Sequence, residues 1–154
     1  MSRTESAGGR IKMLVVSACL AGIPCRMDGK AKPIPAIQKL VAEGKAMPVC
    51  PEVLGGLPTP RIPSERRGAR VINQAGEDVT DAFVTGAGRA LQIVRELGAE
   101  AVILKARSPS CGPGKIYDGT FTKTLTDGNG VFAEMVRCAG IPVYTEENYE
   151  AHVK

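Results

Sequence analysis

Short apolar segments alternate with amphipathic ones along the chain, and this alternation constrains the fold more than any other feature. Four apolar segments are typical of buried strands: residues 11–17, 47–49, 101–104 and 141–144. Apolar residues recur at helical spacing in three further segments: residues 34–43, 79–97 and 131–139. Strands that alternate with helices predict an α/β fold, here a Rossmann-like three-layer sandwich with a mostly parallel sheet.

The segments between these elements are rich in glycine and proline. We predict a long structured loop in residues 50–68, a minor strand in 70–73 and a small hairpin in 117–127. Asp78 or Thr80 is predicted to cap the long helix. Gly86 and Gly88 lie within that helix and indicate close packing, because they do not form a dinucleotide-binding motif.

We expect a single domain in residues 11–150, since 154 residues provide one core and not comfortably two. Residues 1–10 are polar and are predicted to be a disordered tail. Residues 16–19 resemble a lipoprotein cleavage site. However, the apolar run before Cys19 has about four residues, whereas a signal peptide needs roughly 7–15. The sequence therefore predicts a cytoplasmic protein with reduced cysteines.

Composition limits both the core and the partners. Aromatic residues make up only 4% of the chain and Trp is absent, so the core must consist of Val, Ile, Leu and Ala. The net charge of +4 permits an anionic ligand but is too small and dispersed to predict binding to duplex DNA. No segment is long and apolar enough to predict a membrane partner.

Three cysteines follow three predicted strands. Cys19 follows the first strand, Cys50 the second, and Cys111 lies in the loop after residues 101–104. Because ligands of such folds bind beyond the carboxyl ends of the strands, we expect these thiols to converge there. Thiolates bind zinc and iron–sulfur clusters, and three of them leave one coordination position open, as in catalytic metal sites. The alternative is that they are unrelated core residues.

We make a separate prediction for each of the two other cysteines. Cys25 lies six residues after Cys19. It could be a fourth ligand, a spare thiol near the site or a surface residue, and we favour a thiol that is not a ligand. Cys138 lies near the end of the last predicted helix and is predicted to be a small buried residue.

Polar residues near these cysteines are candidates for catalysis. Glu52 follows Cys50 by two residues and could act as a general acid or base, and Ser108 precedes Cys111 by three. Both could instead be ordinary loop residues. Arg26 and Lys115 are weaker candidates for substrate binding; Lys115 follows a Gly-rich turn that could hold an anion.

Seven motifs stand out in the loops and at the ends of the predicted elements: residues 16–22, 26–29, 48–52, 54–61, 76–80, 108–112 and 114–120. Together they resemble the thiouracil desulfidase family. This resemblance implies a [4Fe-4S] cluster held by Cys19, Cys50 and Cys111, with the fourth iron free to bind the sulfur of the substrate. It also implies conversion of a thiolated uracil base or nucleotide to the oxo form and sulfide, with Glu52 and Ser108 needed for turnover.

One alternative comes from another functional class. A three-cysteine zinc or cluster site could belong to a non-catalytic module that senses metal or redox state. The sequence favours a small-molecule substrate, does not exclude thiolated RNA, and leaves the oligomeric state open.

Overall fold

A computed structural model describes residues 13–153. The predicted tail and the first two residues of segment 11–17 lie outside this part. The helices and strands are β1 (Leu14–Ser17), a 3-10 helix (Ala18–Ala21), α1 (Pro35–Ala42), β2 (Ala46–Val49), α2 (Pro51–Leu54), β3 (Ser64–Arg67), β4 (Arg70–Asn73), α3 (Thr80–Leu97), β5 (Ala101–Leu104), β6 (Lys115–Tyr117), β7 (Leu125–Asp127), α4 (Val131–Cys138), β8 (Val143–Thr145) and a 3-10 helix (Tyr149–Ala151).

The main sheet has four parallel strands in the order β2-β1-β5-β8, which confirms the predicted α/β fold. The central strands β1 and β5 are buried along their whole length, as their continuous apolar sequences predict. β2 contains Pro48 and lies at an edge, where a missing N–H donor is tolerated. Two antiparallel pairs, β3–β4 and β6–β7, lie outside this sheet.

The two faces of the sheet bury two apolar clusters. Val15 and Val102 pack with residues of α3 and α4, including Phe83 and Phe132. The alternate strand residues pack with α1 and the last 3-10 helix in the second cluster. This period-two alternation places helices on both faces, which is the predicted three-layer arrangement. No helix among residues 13–153 is long and apolar enough to cross a membrane.

Helices α2 and α3 cross at two glycines. A Cβ atom on Gly86 would lie 1.8 Å from the carbonyl oxygen of Pro51, and one on Gly55 would lie 2.0 Å from that of Ala82. By contrast, a Cβ on Gly88 would have no atom within 4 Å. The prediction of close packing is therefore confirmed at Gly86 and wrong at Gly88.

Three local predictions need correction. The predicted loop 50–68 contains α2, which begins at Pro51, a residue well suited to the first helical turn. It also contains β3, which pairs with β4. The N-cap of α3 is Val79, whose side chain cannot accept a hydrogen bond. Asp78 instead accepts hydrogen bonds from the backbone and hydroxyl of Thr80. Cys138 is exposed rather than buried, because the apolar face of α4 ends at Val136.

Candidate active site

A cavity of about 410 Å³ lies where β1, β2 and β5 end. The chain runs from β1 to β2 on one side, and β5 pairs with β1 on the other, so the strand order reverses between β1 and β5. Ligand sites of open α/β sheets occur at such reversals. The cavity is lined by the three cysteines predicted from the strand ends, by Cys25, and by Glu52 and Ser108.

The four thiols reach the cavity from different elements. Cys19 lies in the 3-10 helix after β1, Cys50 is the residue before α2, and Cys111 lies in the loop after β5. Cys25 is also buried, and its carbonyl oxygen lies 3.9 Å from the Cys50 sulfur. The structure thus brings the predicted set together and adds a fourth thiol beside it.

Burial and neighbouring thiols shift the pKa values of all four cysteines. Burial, with Cys50 nearby, raises the pKa of Cys19 to about 11, and burial raises the pKa of Cys111 to about 12. A hydrogen bond between Cys25 and Cys50 raises the pKa of Cys25 and lowers that of Cys50. Buried thiols of this kind become thiolates when a metal supplies positive charge.

The chemistry of the donors indicates which metal groups they fit. Soft thiolates bind both a single Zn²⁺ ion and iron–sulfur clusters. A cluster of four irons is larger and accepts thiolates that line a cavity from separate loops. The thiols that line this cavity therefore fit an iron–sulfur cluster.

Both carboxylate oxygens of Glu52 are held by neighbours. Arg61 Nε donates to Oε1 at 2.9 Å, and the Ser110 hydroxyl donates to Oε2 at 3.1 Å. The Arg61 side chain is only 7% exposed. Its Nη2 donates to the carbonyl oxygen of Cys25 at 2.9 Å, so it links Glu52 to the loop that carries Cys25.

Ser108 organises the loop that carries Cys111. Its hydroxyl oxygen accepts backbone N–H groups from Ser110 at 3.1 Å and from Cys111 at 3.0 Å. The Ser110 hydroxyl lies 3.3 Å from it. Because both backbone contacts use the Ser108 oxygen as an acceptor, its hydroxyl proton remains for Ser110 or for a ligand in the cavity.

Close backbone packing makes this loop rigid. The first N–H groups of α4 donate to the carbonyl oxygens of Pro109 and Ser110, which satisfies donors that a helix start leaves free. A Cβ on Gly130 would lie 2.5 Å from the carbonyl carbon of Ser110, and one on Gly112 would lie 2.6 Å from the nitrogen of Arg107. Only glycine allows the backbone to pack this closely, so Gly112 and Gly130 help to hold Cys111 in its position.

Several cations also line the cavity, but not all the predicted ones. Arg26, which was a candidate for substrate binding, lines it together with Lys105, Arg107 and Lys123. Lys115 is not among the lining residues; it is exposed in β6 and pairs with Asp127 at 2.5 Å. The Gly-rich turn before Lys115 directs the chain into the β6–β7 hairpin instead.

Sequence reasoning missed several groups of this site, among them Lys105, Arg61 and Phe121. Lys105 follows β5 directly, so the strand-end argument used for the cysteines could have identified it. Arg61 lies nine residues from Glu52, and no periodic pattern connects them. Phe121 lines the cavity from a loop predicted only as a polar hairpin.

Comparisons with known proteins find similarity over most of the chain. The model of the 2-thiouracil desulfurase family matches residues 14–148. The chain is 44% identical to YbbK of Bacillus subtilis (strain 168), an uncharacterized protein, with 87% of this chain and 95% of YbbK covered. The solved structure of the [4Fe-4S]-dependent thiouracil desulfidase TudS is similar, with a TM-score of 0.87 and 44% identity. That match covers 91% of this chain and 94% of TudS.

Proposed function

The chain belongs to the 2-thiouracil desulfurase family, and we propose that it is a [4Fe-4S]-dependent desulfidase acting on thiolated uracil compounds. One observation carries this proposal: thiols from three strand ends line one cavity together with Glu52 and Ser108. In the proposed reaction, water replaces the sulfur of the thiocarbonyl group. The products are the oxo base and hydrogen sulfide, so neither substrate nor enzyme is oxidised or reduced.

We assign the cluster ligands to Cys19, Cys50 and Cys111. When bound there, the cluster supplies a thiophilic, Lewis-acidic iron for the substrate sulfur. Cys25 lies beside Cys50 but is not assigned as a ligand, because three thiolates from the chain leave one iron open.

Glu52 is the proposed general base. Its carboxylate takes a proton from the water that attacks the thiocarbonyl carbon. Arg61 and Ser110 each hold one of its oxygens, so the carboxylate cannot rotate away from the cavity. Each oxygen also keeps lone pairs for the water, because a carboxylate oxygen accepts more than one hydrogen bond.

Ser108 is the proposed hydrogen-bond donor to the bound base or to the water. Two backbone N–H groups hold its oxygen, so the direction of the hydroxyl is restricted. A donor held in place before the reaction stabilises developing charge without a cost of reorganisation.

We favour a free base or a nucleotide as the substrate. Arg26, Lys105, Arg107 and Lys123 line the cavity and provide positive charge for an anionic substituent. The thiol-rich site is suited to the reducing cytoplasm, where free cysteines persist. Thiolated RNA is the alternative substrate.

Anaerobic reconstitution with iron and sulfide tests the proposal. The reconstituted protein is expected to be brown, to contain iron and acid-labile sulfide, and to convert 2-thiouracil into uracil and sulfide. Thiouridine monophosphate and a thiolated tRNA, assayed in parallel, identify the substrate form. If protein with a full iron content releases sulfide from none of them, the proposal is wrong. Colourless protein with one zinc would instead favour the sensing module.

A further inference from the structure

Three residues other than glycine have left-handed backbones within residues 13–153, and all three line the cavity. They are Arg107 (φ 68°), Phe121 (φ 58°) and Lys123 (φ 62°). Residues with side chains seldom adopt this conformation, and for a bulky residue it is a genuine outlier. Such strain collects at binding sites when surrounding contacts enforce it.

In the loop that carries Phe121 and Lys123, contacts that hold the backbone come from β3. Glu65 Oε1 accepts the N–H of Gly119 at 2.9 Å and that of Phe121 at 3.1 Å. Arg67 Nε donates to the carbonyl oxygen of Gly119 at 2.7 Å. The strained loop, residues 118–124, is therefore held from outside by β3.

Hydrogen bonds within the loop also join its two ends. The N–H of Asp118 donates to the carbonyl oxygen of Thr124 at 2.9 Å, and the hydroxyl groups of Thr120, Thr122 and Thr124 form a continuous chain. Thr122 is exposed, whereas Phe121 and Lys123 on either side of it line the cavity. Loop 118–124 thus presents an aromatic ring and a cation to the cavity.

Phe121 lies in a different environment from the other phenylalanines of this chain. The protein has three phenylalanines, and the other two, Phe83 and Phe132, are fully buried in the core. Phe121 is only half-buried, lies in a strained loop and faces a cavity. Core packing therefore does not account for it, whereas contact with a flat ligand does.

We propose that Phe121 is a substrate-binding residue that stacks on the pyrimidine ring of the thiolated base, and that Glu65 is the residue that positions it. This inference rests on the proposed function, since it takes the ligand to be a planar heteroaromatic ring. Stacking does not depend on which base is bound, because every base has a π-face.

The test compares holoenzyme variants at this position. F121A is expected to raise KM for 2-thiouracil by roughly 5-fold to 150-fold, the range that loss of one stacked base implies. Its kcat, iron content and cluster absorbance should stay near wild type. F121Y should restore KM to within a few-fold, while F121L, which keeps apolar volume without a ring, should not. L125A is the matched control, because Leu125 is exposed in the same hairpin and does not line the cavity.

The positioning role of Glu65 has its own variants. E65Q keeps an oxygen acceptor and should keep KM near wild type, whereas E65A should raise KM as F121A does. The double variant E65A/F121A should be no worse than F121A alone, because both changes remove the same contact. Additive effects would show that Glu65 acts elsewhere.

A binding measurement separates this inference from the proposed function. Uracil has the ring but no sulfur, so its binding is followed by saturation-transfer NMR on its ring protons without turnover. Wild-type protein should show transfer, and F121A should lose it. If wild-type protein desulfurates 2-thiouracil but F121A keeps both KM and transfer, the stacking proposal alone is wrong. Wild-type KM in F121L, or no transfer from wild-type protein, also overturns it.

Discussion

The carboxyl edge of the sheet and the helical layer formed by α2, α3 and α4 differ in almost every physical respect. The layer buries apolar side chains completely, as at Phe83 and Val136, and its helices meet at glycine. The edge holds buried thiols, the buried hydroxyls of Ser17 and Ser110, and left-handed residues. Such groups destabilise a fold unless they are satisfied by partners or by a ligand.

The difference shows how the two regions depend on each other. α2 belongs to both, because Pro51 packs against Gly86 while Cys50 and Glu52 on either side of it line the cavity. The well-packed layer therefore determines where the reactive groups of the edge lie. Substitutions at the edge should abolish activity and leave the fold intact. Substitutions in the layer should lower both activity and stability.

The largest effect is expected at the three assigned ligands. Cys19→Ser, Cys50→Ser and Cys111→Ser should each lose the stable cluster and activity, because a hydroxyl is a poor ligand for iron compared with a thiolate. Iron and acid-labile sulfide are measured after anaerobic reconstitution. Cys138→Ser is the control and should keep the wild-type iron content, since Cys138 is exposed on α4.

Cys25→Ser is the critical member of this series. It should also keep its iron, even though Cys25 lies in the cavity beside Cys50. Loss of iron as complete as in Cys19→Ser would mean four protein ligands and no open iron, and the proposed chemistry would have to be abandoned.

Glu52→Gln should separate catalysis from cluster binding. The cluster should remain, while kcat should fall by about 10²-fold or more, the usual scale for loss of a general acid or base. The measurement is sulfide release at saturating substrate with iron content determined in the same sample. Glu43→Gln, at an exposed site beside Lys45, should be without effect. Normal turnover by Glu52→Gln would move the proton-transfer role to Ser108 or to bound water.

A pair of glycines in α3 tests the helical layer. Gly86→Ala would drive a methyl group into the backbone of Pro51, so we expect a loss of about 1–3 kcal/mol of stability together with a lower iron content. Gly88→Ala, two residues away with open space around it, should stabilise α3 by about 0.5–1 kcal/mol. Denaturant unfolding of both variants checks this. Equal effects would show that α2 is not positioned by this crossing.

The smallest expected effect is at the ion pair between Arg107 and Glu147 near the rim of the cavity. Their side chains meet at 2.7 Å, and the hydrogen bond from Arg107 holds the pKa of Glu147 below its usual value. A lowered pKa adds stability above the unfolded pKa, and this contribution disappears as the pH falls. Because both groups are well exposed, the pair should contribute no more than about 0.2–1 kcal/mol.

The measurement is the Tm of wild-type protein and Glu147→Gln between pH 7 and pH 3. The difference between the two should be largest at neutral pH and should vanish at the acidic end. A difference that grows on acidification would contradict the assignment.

The sequence determined the fold class and the three principal thiols. Strand and helix periods are local properties, so the four parallel strands and the helices between them could be predicted from short windows. Cys19, Cys50 and Cys111 could be placed because strand ends of a parallel sheet meet at one edge. Glu52 and Ser108 followed from their nearness to these cysteines along the chain, and both line the cavity.

Only the tertiary structure decided which loop residues reach the site. Arg61, Cys25 and Phe121 approach it along irregular paths that depend on long-range contacts, such as the hydrogen bonds from Gly119 and Phe121 to Glu65. For the same reason Lys115, close to Cys111 in sequence, lies outside the cavity. Loop paths follow from which distant groups satisfy each backbone donor and acceptor, and no period in the sequence records that pairing.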